Sequence, residues 1–302
     1  MSQEDATLTN DDVWVLVPVH NRKEITLTCL DHLSEFEDFK RLNVVVIDDG
    51  STDGTAKAVQ KGYPEVSLLR GDGSLWWGGA IRAGMKYAFQ KGAKTIVWLN
   101  DDVRPDEGAV TALAQCAFEN TAVLAGVVSN GVDSDYTTRL ARTRWGVESM
   151  EYKRDEEIQS CDLTPGKFVA IPREVIEKIG LPDTDAFPHH ICDYEYTLRA
   201  AENGFEVGVY SPASAEDIAF EPATPRLSSE VSFETVFLNT FNPGAHSSYT
   251  LRMNYYRDLR FTGPPRAVGY LVFLYHCLRS LGAVIIKLAL ALGSTQHSLR
   301  SQ

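Results

Sequence analysis

Residues 95–103 read Thr95-Ile-Val-Trp-Leu-Asn-Asp-Asp-Val103, an apolar run that ends in an amide and two carboxylates. The apolar residues do not alternate with polar ones, which predicts a strand buried on both faces, as in a parallel sheet. Pro105 predicts the first turn of a following helix. The polar residues then lie at the carboxyl end of a strand, the edge where open α/β sheets bind ligands. A helix cap that binds no ligand is the open alternative.

Composition limits the classes of function. The chain has 302 residues and a net charge of −12, which argues against a nucleic-acid partner, because such partners need a basic surface. Its five cysteines form no CxxC pair, so they indicate a reducing compartment rather than a disulfide framework or a zinc site. Residues 1–12 are polar and acidic without a signal-peptide pattern, which predicts a disordered lead-in. We therefore expect a cytoplasmic protein.

The first third of the chain predicts alternating strands and helices. In order these are strand 13–17, a helix to about residue 36, strand 43–47, a weak helix, strand 66–69, helix 80–90 and strand 95–99. Asn21 and Glu24 match a capping box at the start of the first helix. This order predicts a parallel sheet with right-handed crossovers. Asp48 and Asp49 then share an edge with Asp101, and oxygen ligands gathered there suit a divalent cation that carries phosphates.

The second part of the chain is less regular. The predicted order is helix 106–118, strand 122–128, an irregular hairpin insertion at 129–162, strand 166–171, helix 172–179, a helix that Gly204 ends, and a strand to Tyr210. Residues 211–248 predict a long loop, which in a compact domain is typical of a functional lid.

The C-terminal tail combines apolar and basic residues. His276, Arg279 and Lys287 interrupt the apolar run at 270–292, which argues against a membrane-spanning helix. Between residues 251 and 302 seven lysines and arginines accompany a single acid, Asp258. This pattern predicts either peripheral docking onto the anionic inner face of the cell membrane, or packing against the core or a homodimer partner.

Five motifs in this order resemble family 2 glycosyltransferases with the GT-A fold, and within them the bacterial rhamnosyltransferase-like branch. The motifs are Pro18-Val-His-Asn-Arg22, Ile47-Asp-Asp-Gly-Ser-Thr-Asp53, Leu75-Trp-Trp-Gly-Gly-Ala80, Leu99-Asn-Asp-Asp-Val103 and Cys192-Asp-Tyr-Glu-Tyr-Thr-Leu-Arg199. The resemblance implies an α/β fold with a Rossmann-like, mostly parallel sheet flanked by helices, and a C-terminal helical extension. It implies a catalytic domain at 13–225, with a nucleotide-binding half at 13–105 and an acceptor half at 106–225. A lid loop and an amphipathic helical tail then occupy 226–302.

The resemblance also implies the residues that bind a UDP- or dTDP-sugar donor. They are Pro18, His20, Arg22, Asp48, Asp49, Trp77, Gly78, Arg82, Asn100 and Asp101. Asp48 and Asp49 would bind the base and ribose, and Arg82 would bind phosphate with two parallel hydrogen bonds. Alternatives are a turn cap for Asp48 and Asp49, and a solvated helix face for Arg82.

The family's Asp-x-Asp metal motif falls on residues 100–102, where Asn100 replaces the first acid. The resemblance implies Mn²⁺ or Mg²⁺ bound directly by Asp102, with Asp101 or Asn100 acting through water. His246 is a further candidate ligand, although a loop histidine is more often solvated.

For catalysis, the resemblance implies that Asp193 is the general base, assisted by Glu195. A single base and direct attack invert the anomeric carbon. Arg199 lies four residues after Glu195 on the same helical face. His189, His190 and Arg199 are the candidate acceptor-binding residues. A helix cap is the alternative for Asp193.

Together these observations predict an inverting, metal-dependent glycosyltransferase of cell-surface polysaccharide synthesis. It would transfer a sugar such as rhamnose from a nucleoside diphosphate to a glycan or lipid-linked acceptor. One alternative is a sugar-phosphate nucleotidyltransferase, which normally carries a glycine-rich basic loop after its first strand. The other is a non-catalytic partner that binds nucleotide sugars.

Overall fold

The computed structural model describes residues 8–9, 12–36, 42–129, 139–143, 146–150, 156–185, 187–189 and 191–219. Its elements are β1 (Val13–Val19), α1 (Lys23–Ser34), β2 (Asn43–Asp48), α2 (Thr55–Gly62), β3 (Ser67–Arg70), α3 (Trp76–Gln90), β4 (Thr95–Leu99), β5 (Val103–Pro105), α4 (Ala109–Asn120), β6 (Val123–Ser129), β7 (Arg139–Thr143), β8 (Gly146–Met150), β9 (Ile158–Ser160), β10 (Phe168–Pro172), α5 (Arg173–Ile179), α6 (Cys192–Glu202) and β11 (Val207–Asp217). His190, His246 and the predicted C-terminal tail lie outside the described residues.

A mixed sheet organises these elements, with the strand order β3-β2-β1-β4-β10-β6-β11-β5. The strands β1 to β4 run parallel to one another, as does the pair β6 and β11. This confirms the predicted Rossmann-like α/β sheet, in which four of the eight described strand pairings are parallel. β10 is antiparallel to both β4 and β6. β9 pairs with β11, and β7 and β8 form a separate two-stranded sheet within the predicted insertion.

The sheet is apolar on both faces because helices cover both. Val15 and Val17 of β1 belong to a buried cluster that includes residues of α1 and α4. Leu16, between them in sequence, belongs to a second buried cluster that includes residues of α3 and α6. Successive strand residues point to opposite faces. The two-sided burial explains why the strand sequences show no alternation.

Two local predictions were wrong. Pro105 does not begin a helix: it ends the edge strand β5, where a residue without a backbone N–H is tolerated, and α4 begins at Ala109. Asn21 does not cap α1, because its side chain accepts a 2.7 Å hydrogen bond from the Thr52 N–H. Asp53 instead accepts a hydrogen bond from the first N–H of α1, that of Lys23, at 2.9 Å.

β11 is longer than predicted and continues to Asp217, so the first seven residues of the predicted loop 211–248 belong to a strand. Its last part pairs with β5, which explains the extension. In the part of the chain that the structure describes, every helix is too short or too polar to span a membrane.

Candidate active site

The loops after β1 and β4 are joined by Arg22. Its Nη1 lies 2.7 Å from Asp101 Oδ1, and its Nη2 lies 3.1 Å from Asp102 Oδ2. Thr26, one turn into α1, donates a 3.2 Å hydrogen bond to the other oxygen of Asp101. Burial raises the pKa of Asp101 to about 6, although the Arg22 charge opposes this shift. Two acids and one guanidinium therefore form a charged cluster at the carboxyl edge of the sheet.

The loop after β2 is organised by two buried carboxylates. Asp49 Oδ1 accepts a hydrogen bond from the Gly73 N–H and Oδ2 one from the Trp76 N–H, both at 2.9 Å. Asp48 Oδ1 accepts a 2.9 Å hydrogen bond from the Ser51 N–H, the geometry of a turn cap. Asp49 thus fixes the start of α3 against β2, whereas Asp48 fixes its own turn.

Trp77 connects α3 to the end of β4. Its indole Nε1 donates a 2.8 Å hydrogen bond to Asn100 Oδ1, and its ring packs edge-on against Trp98. Because an indole N–H can only donate, the Asn100 amide is oriented with its NH₂ group away from Trp77. Gly78 lies so close to residues 187–192 that a Cβ there would be 2.8 Å from the Phe187 and Pro188 carbonyl oxygens.

These loops enclose a cavity of about 340 Å³. It is lined by Pro18, Val19, His20, Arg22, Asp49, Gly73, Trp76, Trp77, Ala80, Asp101 and His189. The structure therefore brings together six of the predicted donor-binding residues and the predicted acceptor-binding residue His189. Its size and its mixture of apolar walls and charged groups suit a small polar ligand with a flat ring.

His20 closes one side of this cavity through a fixed hydrogen-bond network. Its Nδ1 donates to the Asp49 carbonyl oxygen, and its Nε2 accepts a 2.9 Å hydrogen bond from Asn21 Nδ2. The Asn21 N–H donates to the Ser51 hydroxyl oxygen at 2.8 Å. The loops after β1 and β2 therefore form one rigid unit.

Asp193 lies at the start of α6, where its Oδ2 accepts a 2.8 Å hydrogen bond from the Gly166 N–H. A Cβ on Gly166 would lie 2.7 Å from Asp193 Cβ and 2.8 Å from Trp77 Cη2, so both side chains pack against this glycine. Asp193 keeps partial exposure, but burial raises the pKa of its carboxyl group above the ordinary aspartate range. The hydrogen bond from Gly166 opposes this shift.

Glu195 and Arg199 form a buried ion pair one turn apart on α6, as their spacing predicted. Arg199 Nε lies 2.9 Å from Glu195 Oε1, and Nη2 lies 3.1 Å from Oε2. The Arg199 guanidinium also donates to the carbonyl oxygens of Ile179 and Leu181. These contacts connect α6 to the end of α5, and neither side chain lines the cavity.

Arg82 and Gly78 also lie away from the cavity lining. Arg82 is exposed on α3, and its guanidinium donates to the Pro182 carbonyl oxygen. The structure thus directs Arg82 toward the chain that precedes α6.

Sequence reasoning missed Gly166, and it left open which of Trp76 and Trp77 forms the apolar wall beside the sugar. Trp76 adopts φ +56°, which is unusual for a bulky residue, and it is 38% exposed beside His189, with the two ring centroids 5.5 Å apart. A Trp-Trp pair in sequence does not reveal which ring faces a ligand. Gly166 carries no chemical group, so only its packing against Asp193 reveals its importance.

The acids at the end of β4 are the candidate metal ligands. Asp102 Oδ1 is buried and has no hydrogen-bond partner among the described residues, and such an atom needs a water or a cation. The carboxylates suit a hard divalent cation. No group of three or more acidic, histidine or cysteine side chains with metal-binding geometry occurs among the described residues. A bound cation would therefore need ligands beyond Asp101 and Asp102.

Comparisons with known proteins show what this chain is similar to in sequence and in fold. The chain is 27% identical over 204 residues to the polyprenol monophosphomannose synthase of Mycolicibacterium smegmatis, with 64% of this chain and 73% of the relative covered. Its fold is similar to that of the mannosyltransferase PcManGT from Pyrobaculum calidifontis, solved with GDP-Man and Mn²⁺ (TM-score 0.54, 17% identity, 96% of this chain and 81% of that chain). It is also similar to GalNAc-T7, solved with UDP, GalNAc and Mn²⁺ (TM-score 0.60, 14% identity, 85% of this chain and 52% of that chain).

A model of the family "Glycosyl transferase family 2" matches residues 14–180, which is more than half of the chain and contains the loops after β1, β2 and β4. These loops contribute part of the cavity lining. The chain belongs to glycosyl transferase family 2.

Proposed function

We propose that this protein transfers a sugar from a nucleoside diphosphate to an acceptor hydroxyl, with inversion at the anomeric carbon. One observation carries the proposal: Asp193 and Trp77 pack on the same glycine, and Trp77 in turn binds Asn100, beside Asp101 and Asp102. A base with a raised pKa thus lies close to the acidic edge expected to hold the donor diphosphate.

The donor occupies the cavity between the loops after β1 and β2 and the start of α3. His20 and Trp76 supply flat rings on its walls, and Asp49 supplies a carboxylate. Both Asp49 oxygens already accept backbone hydrogen bonds, but a carboxylate has about four acceptor sites, so base or ribose donors still find room there. Arg22 contacts the diphosphate on the same side of the cavity.

In the reaction, the acceptor oxygen forms a bond to the anomeric carbon while the bond from that carbon to the diphosphate oxygen breaks. The Asp193 carboxylate takes the acceptor proton. The raised pKa makes Asp193 a stronger base than an ordinary aspartate. Direct displacement by one nucleophile inverts the configuration. The Glu195–Arg199 pair positions α6, and so Asp193, without touching the reacting atoms.

Departure of the nucleoside diphosphate leaves negative charge, which a divalent cation stabilises when bound. Asp102 is its proposed ligand, because Asp102 has an unpartnered buried oxygen and Asp101 has none. Mn²⁺ in two similar structures supports a divalent cation in this reaction, without bearing on which residue binds it. His246 stays a predicted further ligand.

Mannose and GDP join the earlier candidates, because one relative is named a polyprenol monophosphomannose synthase and one similar structure holds GDP-Man. The name polyprenol monophosphomannose synthase also supports a lipid-linked acceptor. Rhamnose stays a prediction from the Trp-Trp-Gly-Gly and Leu-Asn-x-Asp-Val patterns, and UDP and dTDP stay predictions from the family resemblance. Family membership favours a glycosyltransferase over a nucleotidyltransferase. An assay of donor turnover distinguishes a glycosyltransferase from a non-catalytic binding partner.

Thermal unfolding with UDP-, dTDP- and GDP-sugars, each with Mn²⁺, Mg²⁺ or a chelator, tests the donor site. A ligand at a hundredfold excess over its dissociation constant stabilises the folded state by about 2.7 kcal/mol. We expect one nucleotide to stabilise the protein, in a manner that requires the metal and is lost in Asp102→Ala. Absence of a shift with every nucleotide and metal contradicts the proposal.

Peripheral binding to an anionic membrane is proposed for the basic tail, since seven lysines and arginines occur there with one acid. Sedimentation with liposomes that contain phosphatidylglycerol tests it. The full chain should sediment and a chain without residues 264–302 should not. Equal sedimentation of both excludes this role.

A further inference from the structure

The two acids after β4 differ in how completely the protein satisfies them. Asp101 has both oxygens engaged, one by Arg22 at 2.7 Å and one by Thr26 at 3.2 Å. Asp102 has one oxygen 3.1 Å from Arg22, while its Oδ1 has no hydrogen-bond partner among the described residues. Asp101 is therefore a fixed anchor for Arg22, and Asp102 is the acid that remains able to accept another ligand.

Arg22 is placed so that only its side chain needs to move. Its backbone precedes α1, and the neighbouring Asn21 N–H is bound to Ser51. The Arg22 side chain is 36% exposed and lines the cavity. Because Arg22 lines the cavity, its side chain can rotate so that Nη2 leaves Asp102 for the space that we assign to the donor.

Electrostatic repulsion prevents Arg22 Nη2 and a divalent cation from binding Asp102 at the same time. While Arg22 is bound to both acids, the cluster carries a net charge of −1, and a divalent cation at Asp102 would lie beside the guanidinium. Like charges at such a distance repel strongly in a partly buried site. A diphosphate offers Nη2 an anionic oxygen of the kind that guanidinium binds well.

We infer that Arg22 makes divalent-cation binding depend on the nucleotide. Without nucleotide, Arg22 competes with the cation for Asp102. With nucleotide, Nη2 binds a diphosphate oxygen, Asp102 is released to the cation, and the two ligands bind cooperatively. The nucleotide-dependent half of this inference rests on the proposed function, whereas the competition at Asp102 does not.

The test measures Mn²⁺ binding by electron paramagnetic resonance, with no nucleotide and with saturating UDP, dTDP or GDP. Arg22→Met removes the charge and keeps the chain length. We expect it to bind Mn²⁺ at least about tenfold more tightly than the unsubstituted protein without nucleotide. Adding Asp102→Asn to Arg22→Met should remove this gain, which assigns the ion to Asp102.

Lys23→Met is the matched control. Lys23 is the next residue, is about as exposed as Arg22, and pairs with exposed Glu24 rather than with the acids after β4. If loss of any nearby positive charge explains the gain, Lys23→Met should reproduce it. We expect Lys23→Met to leave Mn²⁺ affinity within about twofold.

Arg22→Lys keeps the inference testable should Arg22→Met fold poorly, because an ammonium is a compact charge that lacks the planar fork. Its Mn²⁺ affinity without nucleotide should lie between those of the other two proteins. In the unsubstituted protein, the nucleotide that binds should raise the Mn²⁺ affinity about tenfold or more. In Arg22→Met the same nucleotide should raise it clearly less.

The inference is overturned if, without nucleotide, the unsubstituted, Arg22→Met and Arg22→Lys proteins bind Mn²⁺ with equal affinity. It is also overturned if none of the three binds Mn²⁺. The proposed function fails in a different way: no nucleotide binds, or no sugar is transferred. Because the first comparison contains no nucleotide, the two failures are distinguishable.

Discussion

The backbone N–H of Gly166 holds Asp193 Oδ2 at 2.8 Å, so the proposed base is positioned by a residue just before β10. Asp193→Asn keeps this hydrogen bond but cannot take a proton. We expect sugar transfer to fall by about 10²–10⁴-fold, the usual contribution of general base catalysis. Nucleotide affinity should stay unchanged, as measured by calorimetry. Retention of more than a tenth of the activity would exclude Asp193 as the base.

The pH dependence of transfer should reflect the burial of Asp193. The base acts when ionised, and burial raises its pKa, so activity should be lost as pH falls through a value above the ordinary aspartate range. A profile of kcat/KM against pH measures this limb. Circular dichroism over the same range separates it from unfolding. An acid limb at or below the ordinary aspartate pKa would contradict the assignment.

Gly166→Ala tests the packing that joins Asp193 to Trp77. Its Cβ would lie 2.7 Å from Asp193 Cβ and 2.8 Å from Trp77 Cη2, so one of the three must move. A displacement of 1 Å at the base would lower kcat by roughly 10²-fold. Gly62→Ala, which meets nothing within 4 Å, is the control and should keep full activity. Equal activity of the two variants would show that the site tolerates the displacement.

Trp77→Phe removes the hydrogen bond to Asn100 and keeps most of the ring. A lost hydrogen bond to an amide changes affinity by about 1 kcal/mol, or about fivefold, so we expect donor KM to rise by that factor. Trp98→Phe is the matched variant, because Trp98 Nε1 has no hydrogen-bond partner among the described residues. It should reduce stability without changing donor KM. The same change in donor KM for both variants would show that general repacking is the cause.

Glu195→Gln tests whether this acid is structural. Glu195 is buried with Arg199, and breaking a buried pair leaves a charge without its partner, which costs about 3–5 kcal/mol of unfolding free energy. The control is Glu177→Gln, which breaks the Arg173–Glu177 pair of the same spacing in a more exposed place and should cost about 0.3–0.5 kcal/mol. Urea unfolding measures both. If Glu195→Gln loses activity but no stability, Glu195 acts in catalysis directly.

The strands and their acidic ends could be predicted because apolar runs and turn residues are local signals. β1, β2 and β4 follow the predicted positions, and Asp48, Asp49 and Asp101 share the predicted edge. The reversal of β10 could not be predicted, because strand direction depends on how the chain returns after a long insertion. The same limit hid the strand at 103–105, whose partner lies more than 100 residues later.

Side-chain partners within the site were harder to predict than positions. The spacing of Glu195 and Arg199 indicated their pairing, because both lie on one helix. Arg22 binds acids 79 and 80 residues away, and no local pattern shows this. Trp76 and Trp77 are adjacent in sequence and both line the cavity, but Trp76 lies beside His189 whereas Trp77 contacts Asn100 and Trp98.

The direction of β10 also bears on how this protein can diversify. Because β10 runs against β4, the chain between β6 and β10 reaches the sheet at the edge that carries Asn100, and the Asn100 N–H donates to the Lys167 carbonyl oxygen. Residues 130–157 can therefore change in length and composition while β9, Gly166 and the pairing of β10 with β4 and β6 are kept. If the proposed function is correct, an exchange of this segment between family members would change the acceptor preference and keep the proposed donor site.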